Sequence, residues 1–383
     1  MGSHRAPFRS FLSPAPLLGA ALLFAMALLV GCSPRLQPPG PLLAVAEDAG
    51  PAGLAAGGPP TGEGLPGIRP GPARLTDDLF VMPDGTELPY RVWRPQAEPQ
   101  AVVLALHGFN DYSRAFELPG TAWAEQGLVT FAYDQRGFGR SPHRGIWAGW
   151  QRLTADVWSA AAALRGAYPD LPLYLVGESM GGAVILAAFG AESAGFREAA
   201  GRPQVAGAIL SAPAVWGRST MPPVYRWGLW FAAHTLPWHP VSGSGLRRQA
   251  SDNIAVLREL WRDPLTIRYT RTDAVWGLVN LMDAALGAAG RIDVPVLTLY
   301  GEKDEIVPPG PVARLRDILP PGSDHRLYPD GWHLLFRDLE ARLVWDETAS
   351  WMLEKSSRAT AAGGQVRPEP PAAQAAETPA DTG

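Results

Sequence analysis

The chain has one cysteine, Cys32, in 383 residues, so neither a disulfide scaffold nor a cysteine metal cluster can organise it. It lacks a basic surplus: 33 Lys+Arg stand against 37 Asp+Glu, a formal net charge of −4, which argues against a nucleic-acid binder. Charged residues make up only 18% of the chain, too few for a coiled coil. There is no P-loop and no H-E-x-x-H, so nucleotide and zinc chemistry have no motif to rest on. Gly137-Phe138-Gly139-Arg140-Ser141 begins like a dinucleotide fingerprint, but Pro142 stands where the third glycine is required. The apolar run Leu17–Val30 has 14 residues, short of the roughly 20 needed to cross a bilayer as a helix.

What the chain does have is glycine and proline, 42 and 39 of them, unevenly spread. Residues 33–73 contain ten Pro and nine Gly in 41 positions with few aromatic or β-branched side chains, a composition that cannot offset the entropy of ordering. That stretch reads as a tether, with a coil reach of roughly 35 Å. Residues 356–383 carry Ala, Pro, Gly and charge without apolar periodicity and read as a disordered tail. Between them, 74–355 is ample for one folded body.

Ahead of the tether, His4, Arg5 and Arg9 precede the apolar run, as in the n- and h-regions of a signal peptide over residues 1–31. The run ends in Leu29-Val30-Gly31-Cys32, which resembles the bacterial lipobox, where the cysteine is acylated and becomes the mature N-terminus. N-myristoylation at Gly2 is disfavoured, because Ala6 stands where Ser or Thr is wanted. Ser33 after Cys32 resembles the outer-membrane sorting preference of Gram-negative bacteria. The expected location is therefore the bacterial cell envelope, lipid-anchored, on the periplasmic or surface side.

Within the body, strand-like runs alternate with helix-length stretches. The strands fall at Glu87–Trp93, Ala101–Leu106, Leu128–Tyr133, Leu173–Val176, Val205–Leu210 and Val294–Tyr300; helices are expected over Arg114–Gln126, Thr154–Ala167 and Met180–Ala191. The inner strands are continuously apolar, as when both faces of a sheet are covered. The pattern predicts an α/β fold on a mostly parallel sheet, with chemistry beyond the C-terminal strand ends.

Three such ends carry reactive residues. Gly177-Glu178-Ser179-Met180-Gly181 is a G-x-S-x-G run between strand and helix, where the turn presents the Ser179 hydroxyl at a positive helix end. A hydroxyl needs a base. Of the seven histidines, His333 lies in a loop after the short run Arg326–Tyr328 and in the required chain order, whereas His325 reads as a strand-edge residue. The acid should follow Val294–Tyr300, where Glu302, Asp304 and Glu305 compete; Asp304 is favoured, its neighbours facing solvent or Lys303. The backbone N–H groups of Phe109 and Met180 are the expected oxyanion donors.

Together, His107-Gly108-Phe109, Asp134 to Ser141, Gly177 to Gly182, the Gly301 to Pro308 segment with Asp304, and His333 resemble the monoacylglycerol lipase and lysophospholipase group of serine α/β-hydrolases (serine aminopeptidase S33-like). The resemblance implies an eight-stranded sheet with helices on both faces, a helical cap inserted after the sixth strand, no metal or organic cofactor, and a lipid ester substrate. Where relatives commonly have Glu-His-Ser, this chain has Asp111-Tyr112-Ser113, a departure that bears on the alcohol recognised.

Residues 212–290, the expected cap, hold six of the fourteen Trp. Trp227, Trp230, Phe231 and His234 fall at i, i+3, i+4, i+7 on one helical face. Such a stripe either packs the cap onto the body or forms a lid that lines an acyl-chain tunnel or touches a bilayer. Other acyl hydrolases on the same triad, a thioesterase or peptidase, and a non-catalytic lipid-binding lipoprotein remain alternatives. Oligomeric state has no signature in the sequence.

Overall fold

The computed structural model describes residues 71–190, 202–243 and 248–363. The signal segment, Cys32, most of the tether and residues 364–383 lie outside the described residues. Eleven described strands form two sheets. They are β1 (Arg74–Leu75), β2 (Leu79–Val81), β3 (Glu87–Trp93), β4 (Ala101–Leu106), β5 (Leu128–Tyr133), β6 (Leu173–Glu178), β7 (Gly207–Ser211), β8 (Pro240–Val241), β9 (Thr270–Arg271), β10 (Val296–Gly301) and β11 (Asp324–Tyr328).

The main sheet runs β1-β2-β3-β5-β4-β6-β7-β10-β11. It comprises the eight strands implied by the resemblance, β2 to β7, β10 and β11, with the two-residue β1 added antiparallel at one edge. From β5 to β11 all neighbours are parallel, while β3 pairs antiparallel with β5. Every residue of β4, β5 and β6 is buried, which explains their uninterrupted apolar sequence. Alternation sorts the side chains by face. Val102, Leu104 and Leu106 join one core, while Ala101, Val103 and Ala105 join the other.

The first core is covered by α2 (Trp150–Ala167) and α3 (Met180–Ala188), with α6 (Thr272–Ala288) and α7 (Pro309–Ile318); the second by α1 (Glu117–Glu125) and α8 (Ala341–Gly363). Helix α3 is apolar all round and wholly buried, the expected state of a helix without a polar face. Helix α8 extends to Gly363, so the boundary placed at Lys355 falls inside a helix. Ser356 is held there, its Oγ 2.8 Å from the Tyr174 hydroxyl and donating to the Met352 carbonyl.

Between β7 and β10 lies the cap: α4 (Pro223–Thr235), the β8–β9 ribbon, α5 (Ile254–Arg262) and α6. Helix α4 buries only Ala233; Trp227 and Phe231 are 72% and 62% exposed. Trp227 and Phe231 therefore do not pack the cap onto the body, whereas the half-buried His234 faces α6.

Arg136, in the Asp134 to Ser141 segment, ties the sheet's antiparallel edge to α2. Its guanidinium donates to Asp156 at 2.6 and 2.7 Å, to Asp84 at 2.6 and 3.0 Å, and to Thr86 at 2.8 Å. Removing one partner of a buried ion cluster strands the others, at about 3–5 kcal/mol. Arg136→Met should therefore lower unfolding free energy by about that amount in urea titrations; a loss below about 1 kcal/mol, the range of exposed pairs, would contradict this role.

Candidate active site

Ser179 sits at the junction of β6 and α3 with φ 51° and ψ −110°, a left-handed region that a non-glycine residue enters only under constraint. The constraint is visible: its N–H donates to the Ser211 carbonyl at 2.8 Å, and its carbonyl accepts from Ala183 and Ala214. The turn is also too tight for side chains. A Cβ at Gly177 would lie 2.4 Å from Gly181 and Gly182 backbone atoms, and one at Gly181 would lie 2.1 Å from the Leu106 carbonyl oxygen. These contacts explain the glycines of G-x-S-x-G and leave the Ser179 side chain projecting beyond the sheet.

The loops after β10 and β11 are sewn together. Glu302 N–H donates to the Tyr328 carbonyl at 2.9 Å, and Lys303 N–H to the Gly331 carbonyl at 3.0 Å. This brings Asp304 and His333 into contact, Nδ1 to Oδ2 at 2.8 Å, while His333 Nε2 lies 3.0 Å from Ser179 Oγ. Asp304 is fixed by two backbone donors to Oδ1, Ile306 at 2.7 Å and Val307 at 2.9 Å. With a carboxylate at Nδ1 the ring proton resides there, and the Nε2 lone pair faces the Ser179 hydroxyl. Ser179, Asp304 and His333 are each less than a tenth exposed.

Of the competing carboxylates, Glu302 and Glu305 are exposed, and Glu305 accepts from the Gln249 backbone N–H at 2.8 Å. Lys303 pairs with Asp330 rather than with its own neighbours. His325 lies on β11, at the sheet edge.

Phe109 and Met180, the expected oxyanion donors, stand after β4 and at the start of α3. Phe109 packs edge-on against Phe138 and Trp147, and Met180 is fully buried. His107, just before, is buried; burial holds its ring below the usual histidine range, hence neutral. It bridges two loops: Nδ1–H donates to the Gly108 carbonyl at 2.8 Å and Nε2 accepts from Gln135 N–H at 3.0 Å. Asp134, wholly buried, accepts from the Ser113 and Arg140 backbone N–H groups at 3.0 and 2.8 Å. The Asp134 to Ser141 segment, which contains the dinucleotide-like run, thus braces the loop that carries Phe109.

The cap aromatics Trp227, Trp230 and Phe231 stand apart from this hydrogen-bonded line, on exposed α4. Trp230 stacks on His234 with centroids 4.8 Å apart, and His234 meets the Trp276 edge at 5.2 Å. Among the described residues no cluster of His, Cys, Asp and Glu suits a metal ion.

Sequence reasoning missed three buried charged residues beside the site: Asp111, Glu178 and Arg337. The available signals were Glu178 at the variable position of G-x-S-x-G and an arginine four residues after His333. It also missed Asp338, whose Oδ2 accepts the Trp332 N–H at 2.7 Å and so fixes the residue before His333.

A nucleophile position in a strand-to-helix turn, an acid after a later strand and a histidine after the last, on a mostly parallel sheet, define the serine α/β-hydrolase class. The family model described as "Serine aminopeptidase, S33" matches residues 97–340, and the chain belongs to that family. Among curated proteins it is 25% identical to a monoacylglycerol lipase of Mycolicibacterium smegmatis, over 73% of this chain and 97% of the relative. It is likewise 25% identical to the Homo sapiens monoglyceride lipase, over 73% of this chain and 91% of that one. Among solved structures, the Paleococcus ferrophilus monoacylglycerol lipase superposes with a TM-score of 0.58 at 20% identity, covering 70% of this chain and 99% of that one.

Burial pushes the Asp338 carboxyl up from 3.8 to about 6. Its folded value exceeds its unfolded one, so the folded state binds the extra proton between about pH 4 and 6, and stability falls as pH rises through that window. Asp338→Asn cannot titrate. The stability of the wild type relative to this variant should decline from about pH 4 to 6 and then level off, as read by urea unfolding across that range; a flat or rising difference would contradict it.

Proposed function

We propose that this protein is a serine esterase that cleaves carboxylic esters of lipids, of the monoacylglycerol or lysophospholipid type, through an acyl-enzyme. The observation that carries this is the Ser179–His333–Asp304 line, with contacts of 3.0 and 2.8 Å. Ser179 Oγ attacks the ester carbonyl as His333 Nε2 takes its proton; Asp304 holds the tautomer and stabilises the imidazolium. The oxyanion is received by the Phe109 and Met180 N–H groups, donors of a kind worth about 10²–10³ in kcat each. His333 then protonates the leaving alcohol and activates the water that releases the fatty acid.

The lipid preference is supported by the monoacylglycerol lipases among the relatives and by the outward-facing apolar surface of the cap, where Tyr225, Trp227, Trp230, Phe231 and Trp238 are exposed together. Patches of this kind mark interaction surfaces, and Trp is favoured at membrane interfaces. Acylation at Cys32, with the tether, would hold the enzyme at the outer membrane of the cell envelope, within reach of lipid. A second reading, peptide-bond cleavage on the same triad, is favoured by the family's own description.

One panel separates these readings: vesicle-borne monoacylglycerol and lysophospholipid, a soluble short-chain ester, an acyl thioester and an aminoacyl amide. The esters should be turned over and the amide left intact; amide cleavage with inert esters would overturn the proposal, and no turnover of any substrate would favour a binding protein. In the same panel, Trp230→Glu should cut hydrolysis of vesicle-borne lipid about tenfold, equivalent to about 1.4 kcal/mol, and spare the soluble ester. Equal losses on both would reject membrane contact.

A further inference from the structure

We propose that Arg337 is a positioning residue for the acyl-transfer site, clasping the three loops that carry the oxyanion donor, the nucleophile and the base. Its Nη1 donates to Asp111 Oδ2 at 2.7 Å and its Nη2 to Glu178 Oε1 at 2.5 Å. Asp111 lies two residues beyond Phe109, Glu178 immediately precedes Ser179, and Arg337 lies four residues after His333. The three are buried, at 7%, 1% and 6% exposure, and belong to segments 226 and 159 residues apart in the chain. One planar guanidinium therefore spans all three working parts of the site, a geometry that a fork of donors allows and a point charge does not.

The cluster is poorly explained as a stabilising device. One cation faces two carboxylates, and among the described residues Glu178 Oε2 and Arg337 Nε have no hydrogen-bond partner. Buried ion clusters of this sort are often matched or exceeded in stability by apolar replacements, and geometric specification is the alternative reason for keeping them. Burial pushes the Glu178 carboxyl up, with Arg337 pulling the other way. The Arg337 main chain is itself anchored to the middle of the cap insertion, its carbonyl accepting from Asn253 Nδ2 at 3.1 Å, and Leu334 N–H donates to the Ala250 carbonyl at 2.9 Å. The His333 loop is thus tied outward to the cap by its backbone and inward to the nucleophile turn by the Arg337 side chain.

The proposal rests on the esterase reading, and the test keeps the two separable. Full-length wild type, Arg337→Lys, and the charge-free triple variant Asp111→Asn/Glu178→Gln/Arg337→Met are compared on p-nitrophenyl butyrate, with kcat, KM and thermal midpoint measured for each. Arg337→Met alone strands two buried carboxylates and is avoided for that reason. The triple variant should fold and lose about 10²-fold in kcat, the scale of a 1 Å misplacement, at a KM close to wild type. Arg337→Lys, which can satisfy only one carboxylate at a time, should lose about tenfold in kcat, again without a matching change in KM. Wild-type kcat in either folded variant, or losses confined to KM, would overturn the clasp; absence of turnover in the wild type would instead overturn the esterase reading.

Discussion

The imidazole of His333 has two hydrogen-bonding edges, and each is committed to a residue from a different part of the chain. Asp304 comes from the loop after β10 and Ser179 from the turn after β6, 29 and 154 residues away. Neither contact could form if the strands that end in those loops were not close and parallel, with β7 alone between β6 and β10 and β11 beside β10. The nine-stranded sheet can be read as the frame that this one ring requires. Its continuous apolar strands bury both faces, and burial on both faces fixes the register that aligns the loop ends. The positive φ of Ser179 is the local cost of aiming a hydroxyl at that ring, sustained by backbone hydrogen bonds to β7 and beyond.

Much of this was legible in the residues, and the reasons differ by element. Strands β3, β4 and β5 fall where the residues place them: β4 is wholly apolar, β5 is broken only by Thr130, and β3 alternates exposed or half-buried residues with buried Leu88 and Tyr90. Strand β6 runs two residues beyond its apolar stretch, to Glu178, because Arg337 supplies a partner from 159 residues away that no local pattern reveals. The end of α8 was hidden for a related reason: Ser356 and its neighbours carry no apolar periodicity, and the contact that holds Ser356, the Tyr174 hydroxyl, comes from the middle of the sheet. Position alone singles out Asp304 from Glu302 and Glu305, and in the structure it is Asp304 that reaches His333. The two backbone donors that fix its carboxylate were visible only in the folded loop.

The cap shows where periodicity is informative and where it stops. The i, i+3, i+4, i+7 stripe located helix α4 correctly, yet said nothing of whether its aromatic face meets protein or solvent. In the structure Trp227 and Phe231 are open to solvent, while Trp230 stacks on His234 and His234 meets Trp276. The cap nonetheless touches the site loops: residues 248–253, at its middle, hydrogen-bond to the Asp304 loop, through Glu305, and to the His333 loop, through Leu334 and Leu339.

Every proposed step of the reaction passes through Ser179 as the nucleophile. Its most direct test is reaction of the purified protein with a fluorophosphonate, followed by mass spectrometry of the intact chain and its tryptic peptides. A single adduct on the peptide that carries Ser179, absent from Ser179→Ala, is the predicted result. Labelling that persists in Ser179→Ala would contradict it.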